Sequence, residues 1–204
     1  MNSLSSISQD MSLYTINGAR KYLSKAERSR FYEALSILTV PSERTFAEMI
    51  FWTGCRPSEA LSVTPHQILL EEGTVILRSA KKRGKLKGKH FRPVPLPFPY
   101  INRLDTTHDI RDRQYCSETA FVPLWDFSRT TGWRLIAKVM KTAEIYGAQA
   151  CARGLRHSLG VHGAMSDIPV TKLQSWLGHS SLSSTSVYLN MIGVEDRQLA
   201  ERIW

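Results

Sequence analysis

The sequence predicts an α+β domain, mainly α, with a small antiparallel sheet that carries a basic β-hairpin. Three observations lead there. Apolar residues recur at helical spacing in several stretches bounded by capping residues and helix-ending glycines. Two β-rich runs, Thr74-Val75-Ile76-Leu77 and Phe91 to Leu96, break that period in mid-chain. Between them lies a tip dense in lysine and arginine. At 204 residues and 42% apolar content the chain can bury one real core, and two full domains would be cramped.

Lys and Arg number 27 against 18 Asp and Glu, a net charge of +9, so the long-range field favours a polyanion such as nucleic acid or an anionic membrane surface. No apolar run approaches the roughly 20 residues of a membrane span, and Met1 to Asp10 holds no signal-peptide core. A cytoplasmic protein is expected. Cys55, Cys116 and Cys151 are widely spaced and odd in number, which fits reduced thiols rather than a disulfide framework or a zinc site.

Residues 1–20, rich in Ser and Asn without a period, are expected to be a loose arm ahead of a folded domain over 21–204. Ser24-Lys25-Ala26-Glu27 fits a capping box, and Phe31, Leu35 and Leu38 follow at helical spacing until Pro41. A second helix is expected from about Ser42 to Thr53, burying Phe46, Met49, Ile50 and Thr53, with Gly54 as its left-handed terminus. Arg56-Pro57 then puts proline at a first helical position, so Arg56 sits at the edge of a short helix. Helix N-H groups and a guanidinium converge there as a phosphate would require. An ordinary Arg56–Glu59 salt bridge is the alternative.

Pro93 and Pro95 confine the second β-run to a sheet edge. The tip, Lys81 to His90, holds six Lys or Arg residues and two glycines. Like charges so dense repel one another unless a polyanion neutralises them, so Lys82, Arg83, Lys85, Lys87 and Lys89 are candidate DNA-backbone contacts. Pro97 to about Asp109 reads as a short helix and Arg111 to Val122 as an irregular connector. A longer helix is expected from Ser128 to Tyr146, with Trp133, Ile136, Met140 and Ala143 inward, Arg134, Lys138 and Lys141 outward, and Gly147 closing it.

The last third carries the chemistry. A helix after Gly154 buries Leu155, Leu159 and Ala164 and holds Arg156; the next, Val170 to Leu177, is closed by Gly178, so that His179 emerges just past its end. Ser180 to Ser184 leads into a short polar helix bearing Tyr188, with Val187 and Leu189 as expected core anchors. Arginine, histidine and tyrosine in this order are phosphate-binding and nucleophilic groups suited to a phosphodiester. Singly, each would be a surface or packing residue.

Arg153-Gly154-Leu155-Arg156-His157, Leu177-Gly178-His179 and Tyr188 together resemble the tyrosine recombinases, the phage-integrase family, whose pattern is His-x-x-Arg, then Leu-Gly-His, then Tyr. Thr53-Gly54-Cys55-Arg56-Pro57-Ser58-Glu59-Ala60-Leu61 is similar to that family's first arginine segment. The resemblance implies the family's catalytic-domain fold and a site-specific recombinase that cleaves and rejoins DNA strands through a 3′-phosphotyrosyl intermediate. It assigns Tyr188 as nucleophile, Arg56, Arg156 and His179 around the phosphate, and Glu59 as support; Arg153, at the family's histidine position, could act as a third phosphate clamp. A hairpin lysine, Lys81 with Lys82 or Lys85 as alternatives, would protonate the leaving 5′-oxygen. Neither metal nor nucleotide cofactor is implied, and the expected partners are double-stranded DNA and further copies of the chain on paired sites.

Two features depart from the pattern. Arg153 stands where the family has histidine; a guanidinium stays protonated and cannot be a base, so His179, His157 or water must accept the phenol proton. Only 55 residues precede Arg56, too few for the family's N-terminal clamping domain, so the chain resembles the catalytic-domain-only members that invert fimbrial promoter segments. The tail from Gly193 to Trp204, with Leu199, Ile203 and Trp204 on a short helix, is equally suited to docking on a neighbour or to closing its own core. A DNA-binding regulator without turnover and a DNA-relaxing topoisomerase are the competing functions.

Overall fold

The computed structural model describes residues 12–79, 91–189 and 200–203. Helix α1 (Lys25–Ala34) opens on the expected capping box: Ser24 Oγ accepts from Glu27 N, and Ser24 N donates to Glu27 Oε2 at 2.7 Å. A 3-10 turn (Leu35–Ile37) leads to α2 (Pro41–Thr53), the central helix, which is buried on nearly every side. Its one carboxylate so enclosed, Glu48, is met by Arg44 and Arg103. Gly54 closes α2 in the left-handed region at φ 59°, where a side chain would be strained.

After α3 (Pro57–Ala60) come β1 (Ile68–Leu69), β2 (Thr74–Arg78) and β3 (Phe91–Pro95), an antiparallel sheet in the order β1-β2-β3. Pro93 and Pro95 therefore do lie on an edge strand, opposite Ile76 and Thr74. The inward positions of the β2–β3 ladder are Val75, Leu77, Val94 and, unexpectedly for its charge, Arg92. Helices α4 (Phe98–His108), α5 (Ile110–Tyr115), α6 (Arg129–Thr142), α7 (Ala152–Met165), α8 (Val170–Leu177) and α9 (Ser183–Ser186) follow. Helix α2 packs on α4, α6 and α7, while α8 lies against α7, α9 and β3.

Several expectations need correction. Within the arm, Ser12 to Arg20 is held in place: Leu13 is buried, and Lys21 N donates to Leu13 O at 2.8 Å. The connector after Arg111 begins with α5, whose Ile110 reaches the core. Helix α6 stops at Thr142 because Glu144 adopts φ 54°. Trp133 is 62% exposed, since the inward stripe is Gly132, Leu135, Ile136, Val139, Met140 and Ala143 and Trp133 falls about 100° from its centre. Leu189 is likewise exposed rather than an anchor. Of the tail, Ile203 is exposed, and Gly193, Leu199 and Trp204 lie outside the described residues.

Candidate active site

Arg156 joins the segments that the sequence singled out. Rooted in α7 and buried, it donates from Nη1 to the carbonyl of Gly54 at 2.9 Å and from Nη2 to that of Leu177 at 2.5 Å. Gly54 is two residues before Arg56, and Leu177 two before His179. One planar fork thereby fixes the ends of α2 and α8 beside α7. Burial, with Arg56 adding repulsion, lowers the Arg156 pKa to about 10, so the side chain remains charged at neutral pH.

Arg56 is the residue ahead of α3, as expected, and the salt bridge offered as its alternative role is also present. Its Nη1 donates to Glu59 Oε1 at 2.8 Å, its backbone N to Oε2 at 3.0 Å, and its side chain stays partly exposed. Glu59 is buried and meets a second cation that sequence reasoning missed: Arg92 Nη2 donates to Oε2 at 2.7 Å. Arg92 also donates from Nε to Trp176 O at 2.8 Å and from Nη1 to Ser79 Oγ at 3.0 Å. Burial works to raise the Glu59 pKa, but the charge and hydrogen bonds of Arg92, with those of Arg56, hold it at about 2. The only hint of Arg92 in the sequence was a charge in the inward register of a strand.

Tyr188 sits at the end of the α9 turn with its ring 1% exposed, among Leu13, Val161 and Leu177. A Cβ on Gly160 would come within 2.4 Å of the ring, so α7 gives up a side chain where the phenol rests. The hydroxyl is 3.2 Å from His157 Nδ1, and the His179 ring stacks on the tyrosine at 6.1 Å. Burial outweighs the pull of Arg156 and raises the phenol pKa to about 12.

Burial, then the charges of Arg156 and Arg56, push the His179 pKa down to about 3, so its ring is neutral. Its Nδ1 lies 2.8 Å from Thr185 Oγ1, and its buried Nε2 has no hydrogen-bond partner among the described residues. In the tautomer where Thr185 donates to Nδ1, Nε2–H is left as a donor.

Arg153 is exposed on the first turn of α7, three residues from Arg156 and so on the same face. Lys81, Lys82, Arg83, Lys85, Lys87 and Lys89 lie outside the described residues, although Ser79, next to that stretch, is anchored by Arg92. Among the described residues no group of three His, Cys, Asp or Glu could hold a metal ion, and no helix is long and apolar enough to cross a membrane.

The helical layers, the three-stranded sheet and the arginine-tied junction make up the catalytic-domain fold of a tyrosine recombinase. Two solved structures share that fold: a XerA recombinase (22% identity, TM-score 0.68, 89% of this chain and 64% of that one) and the catalytic domain of bacteriophage HP1 integrase (19%, 0.63, 88% and 93%). Residues 21–192 match the phage integrase family, and the chain belongs to it. Curated relatives include tyrosine recombinase XerA of Pyrococcus furiosus, 27% identical over 165 residues covering 78% of this chain and 54% of the relative. Tyrosine recombinase XerC of Proteus mirabilis is 29% identical over 156 residues, covering 73% and 47%. The chain thus spans about half the length of the curated relatives it matches.

Proposed function

We propose that this chain is a site-specific DNA recombinase that breaks and rejoins strands through Tyr188. Arg56, Arg153 and Arg156 hold the non-bridging oxygens of the scissile phosphate, and neutral His179 donates to them from Nε2. The phenol oxygen attacks phosphorus, its proton passes to His157 Nδ1 or to water as the ring leaves its seat, and the 5′-oxygen leaves with a proton from Lys81 or a neighbouring hairpin lysine. The phosphotyrosyl bond conserves the energy of the broken linkage, and attack by a 5′-hydroxyl reverses the sequence. No nucleotide is consumed.

The observation that carries this reading is the Arg156 tether from Gly54 to Leu177, which gathers the Arg56, His179 and Tyr188 segments into one place. The relatives' names point the same way. Lys82, Arg83, Lys85, Lys87 and Lys89 would grip the DNA backbone, copies of the chain would assemble on paired sites, and the reaction would take place in the cytoplasm. Because the resting phenol is buried against His157, attack requires the ring to leave Gly160, and engagement of DNA and a neighbouring copy supplies the occasion.

The test uses a nicked duplex, its sequence taken from DNA that co-purifies with the protein, which traps the covalent adduct. Adduct from wild type and none from Tyr188→Phe is expected; wild type that binds the duplex without any adduct overturns the proposal. A second reading, a DNA-binding regulator without turnover, is favoured by Arg153 and by the enclosed phenol. It requires that Tyr188→Phe keep full function.

A further inference from the structure

We propose that Arg92 is a positioning residue: it neutralises Glu59 and so leaves the charge of Arg56 available to an incoming phosphodiester. Two guanidiniums share one buried carboxylate. Arg92 takes one oxygen at 2.7 Å and Arg56 the other at 2.8 Å. Their remaining surroundings differ. All three nitrogens of Arg92 are engaged inside the protein, by Glu59, Ser79 Oγ and the Trp176 carbonyl. Its side chain is only 5% exposed and is turned to these internal partners. Arg56, 37% exposed, commits one terminal nitrogen to Glu59 and keeps an open flank.

Charge counting then assigns the roles. With Arg92 present the trio carries one net positive charge, and that charge is exposed only at Arg56. Without Arg92, Glu59 would draw more heavily on Arg56, and a phosphate would have to compete with a carboxylate already in place. The fit of Arg92 is close: a Cβ at Gly178, where φ is +66°, would stand 3.0 Å from its Cζ, Nε and Nη1. One buried cation therefore touches the segments of Arg56 and His179 and the residue at the end of β2. It occupies the strand position paired with Leu77, where an apolar side chain would suit the core.

The inference rests on the recombinase reading for its cleavage arm and is independent of it in its binding arm. Wild type, Arg92→Met, Arg92→Lys and Arg92→Met/Glu59→Gln are compared for adduct formation and for the salt dependence of duplex binding by fluorescence anisotropy. Thermal melting of each verifies folding. Arg92→Met should lower adduct formation on the order of tenfold or more, as loss of one phosphate donor does. Its plot of log affinity against log salt should flatten by about 1, as though one phosphate contact had gone.

Adding Glu59→Gln removes the competing carboxylate and should bring both readouts back to within about threefold of wild type, a coupling that independent sites do not show. Arg92→Lys, which keeps the charge, should retain the wild-type salt slope. A folded Arg92→Met with wild-type slope and adduct overturns the proposal. If Arg92→Met does not fold, a double variant or Arg92→Lys with a flattened slope overturns it instead. Wild type that binds duplex but forms no adduct defeats the recombinase reading, while the slopes still decide the role of Arg92.

Discussion

Tyr188 and His157 form a buried pair, the phenol oxygen 3.2 Å from Nδ1, one helical turn from a glycine that leaves room for the ring. The proposed nucleophile and the proposed acceptor of its proton are thus already in contact. Both are enclosed, and burial holds the phenol in its neutral form. The resting site is thus assembled but closed, and the expectations below separate these two properties.

Gly160→Ala adds a methyl group where the Tyr188 ring lies. Alanine improves an interior helical position by about 0.5–1 kcal/mol, while overpacking costs about 1–3 kcal/mol, so the net loss of stability should be small. The tyrosine ring is the softer partner and should be expelled. Nitration by tetranitromethane, followed on the peptide containing Tyr188, should be slow in wild type and fast in the variant. Equal protection in both would contradict the packing described.

Tyr188→Phe keeps the ring and removes one hydrogen bond. Its stability should change by no more than about 1 kcal/mol, seen as a small shift in the thermal midpoint. Adduct formation should vanish. A large loss of stability would mean that the hydroxyl has a structural role beyond the His157 contact.

The Glu59 pKa is held at about 2, below its ordinary 4.5. The unfolded chain therefore binds the proton first, so the stability from this ionised carboxylate is present above about pH 4.5 and is lost as pH falls toward 2. His179, lowered from 6.5 to about 3 by burial and by the arginines, acts in the same direction over its own window. Its neutral folded form is fully compatible with the unfolded chain's charge state only above about pH 6.5. Denaturant unfolding between pH 7 and pH 3 should show a steadily falling stability. Glu59→Gln should flatten the acid end, and an unchanged acid limb would count against the burial of this carboxylate.

Arg156→Lys replaces a fork by a single ammonium, which cannot reach both the Gly54 and Leu177 carbonyls in the same planar geometry. Stability should fall by about 1–3 kcal/mol, because a buried acceptor is left unpaired. On the proposed mechanism, adduct formation should drop on the order of a hundredfold or more, because the donor assigned to the transition state moves as well. Denaturant melts and suicide-substrate kinetics measured together would distinguish this from a purely structural loss.

The elements bounded by strong local chemistry were legible from the residues. Ser24 and Glu27 marked the start of α1, Gly54 and Gly178 the ends of α2 and α8, and Pro93 and Pro95 the sheet edge. The order of Arg56, Arg156, His179 and Tyr188 was legible too, since their chemical types are rare in combination. Arg92 was not, because an inward arginine in a strand reads as a surface charge until its three partners from distant segments are known. Trp133 misled for the converse reason: its hydrophobicity suggested burial, but the stripe was set by neighbours one position away. Nor could the sequence reveal that Tyr188 rests enclosed. That depends on a missing side chain at Gly160, twenty-eight positions earlier.

The Arg156 fork has a consequence for how this chain can diverge. Its two acceptors are main-chain carbonyls, so the tie itself reads no side chain, although Gly54 and Leu177 are each fixed by other needs, the first by its left-handed backbone and the second by its place in the core. The stretch from α4 through the loop before α6 lies between the tethered ends and adds none of the three. An insertion at the exposed turn from Cys116 to Glu118 can lengthen the chain there while the spacing of the tethered segments stays fixed, as a clasp keeps its shape whatever the length of the strap.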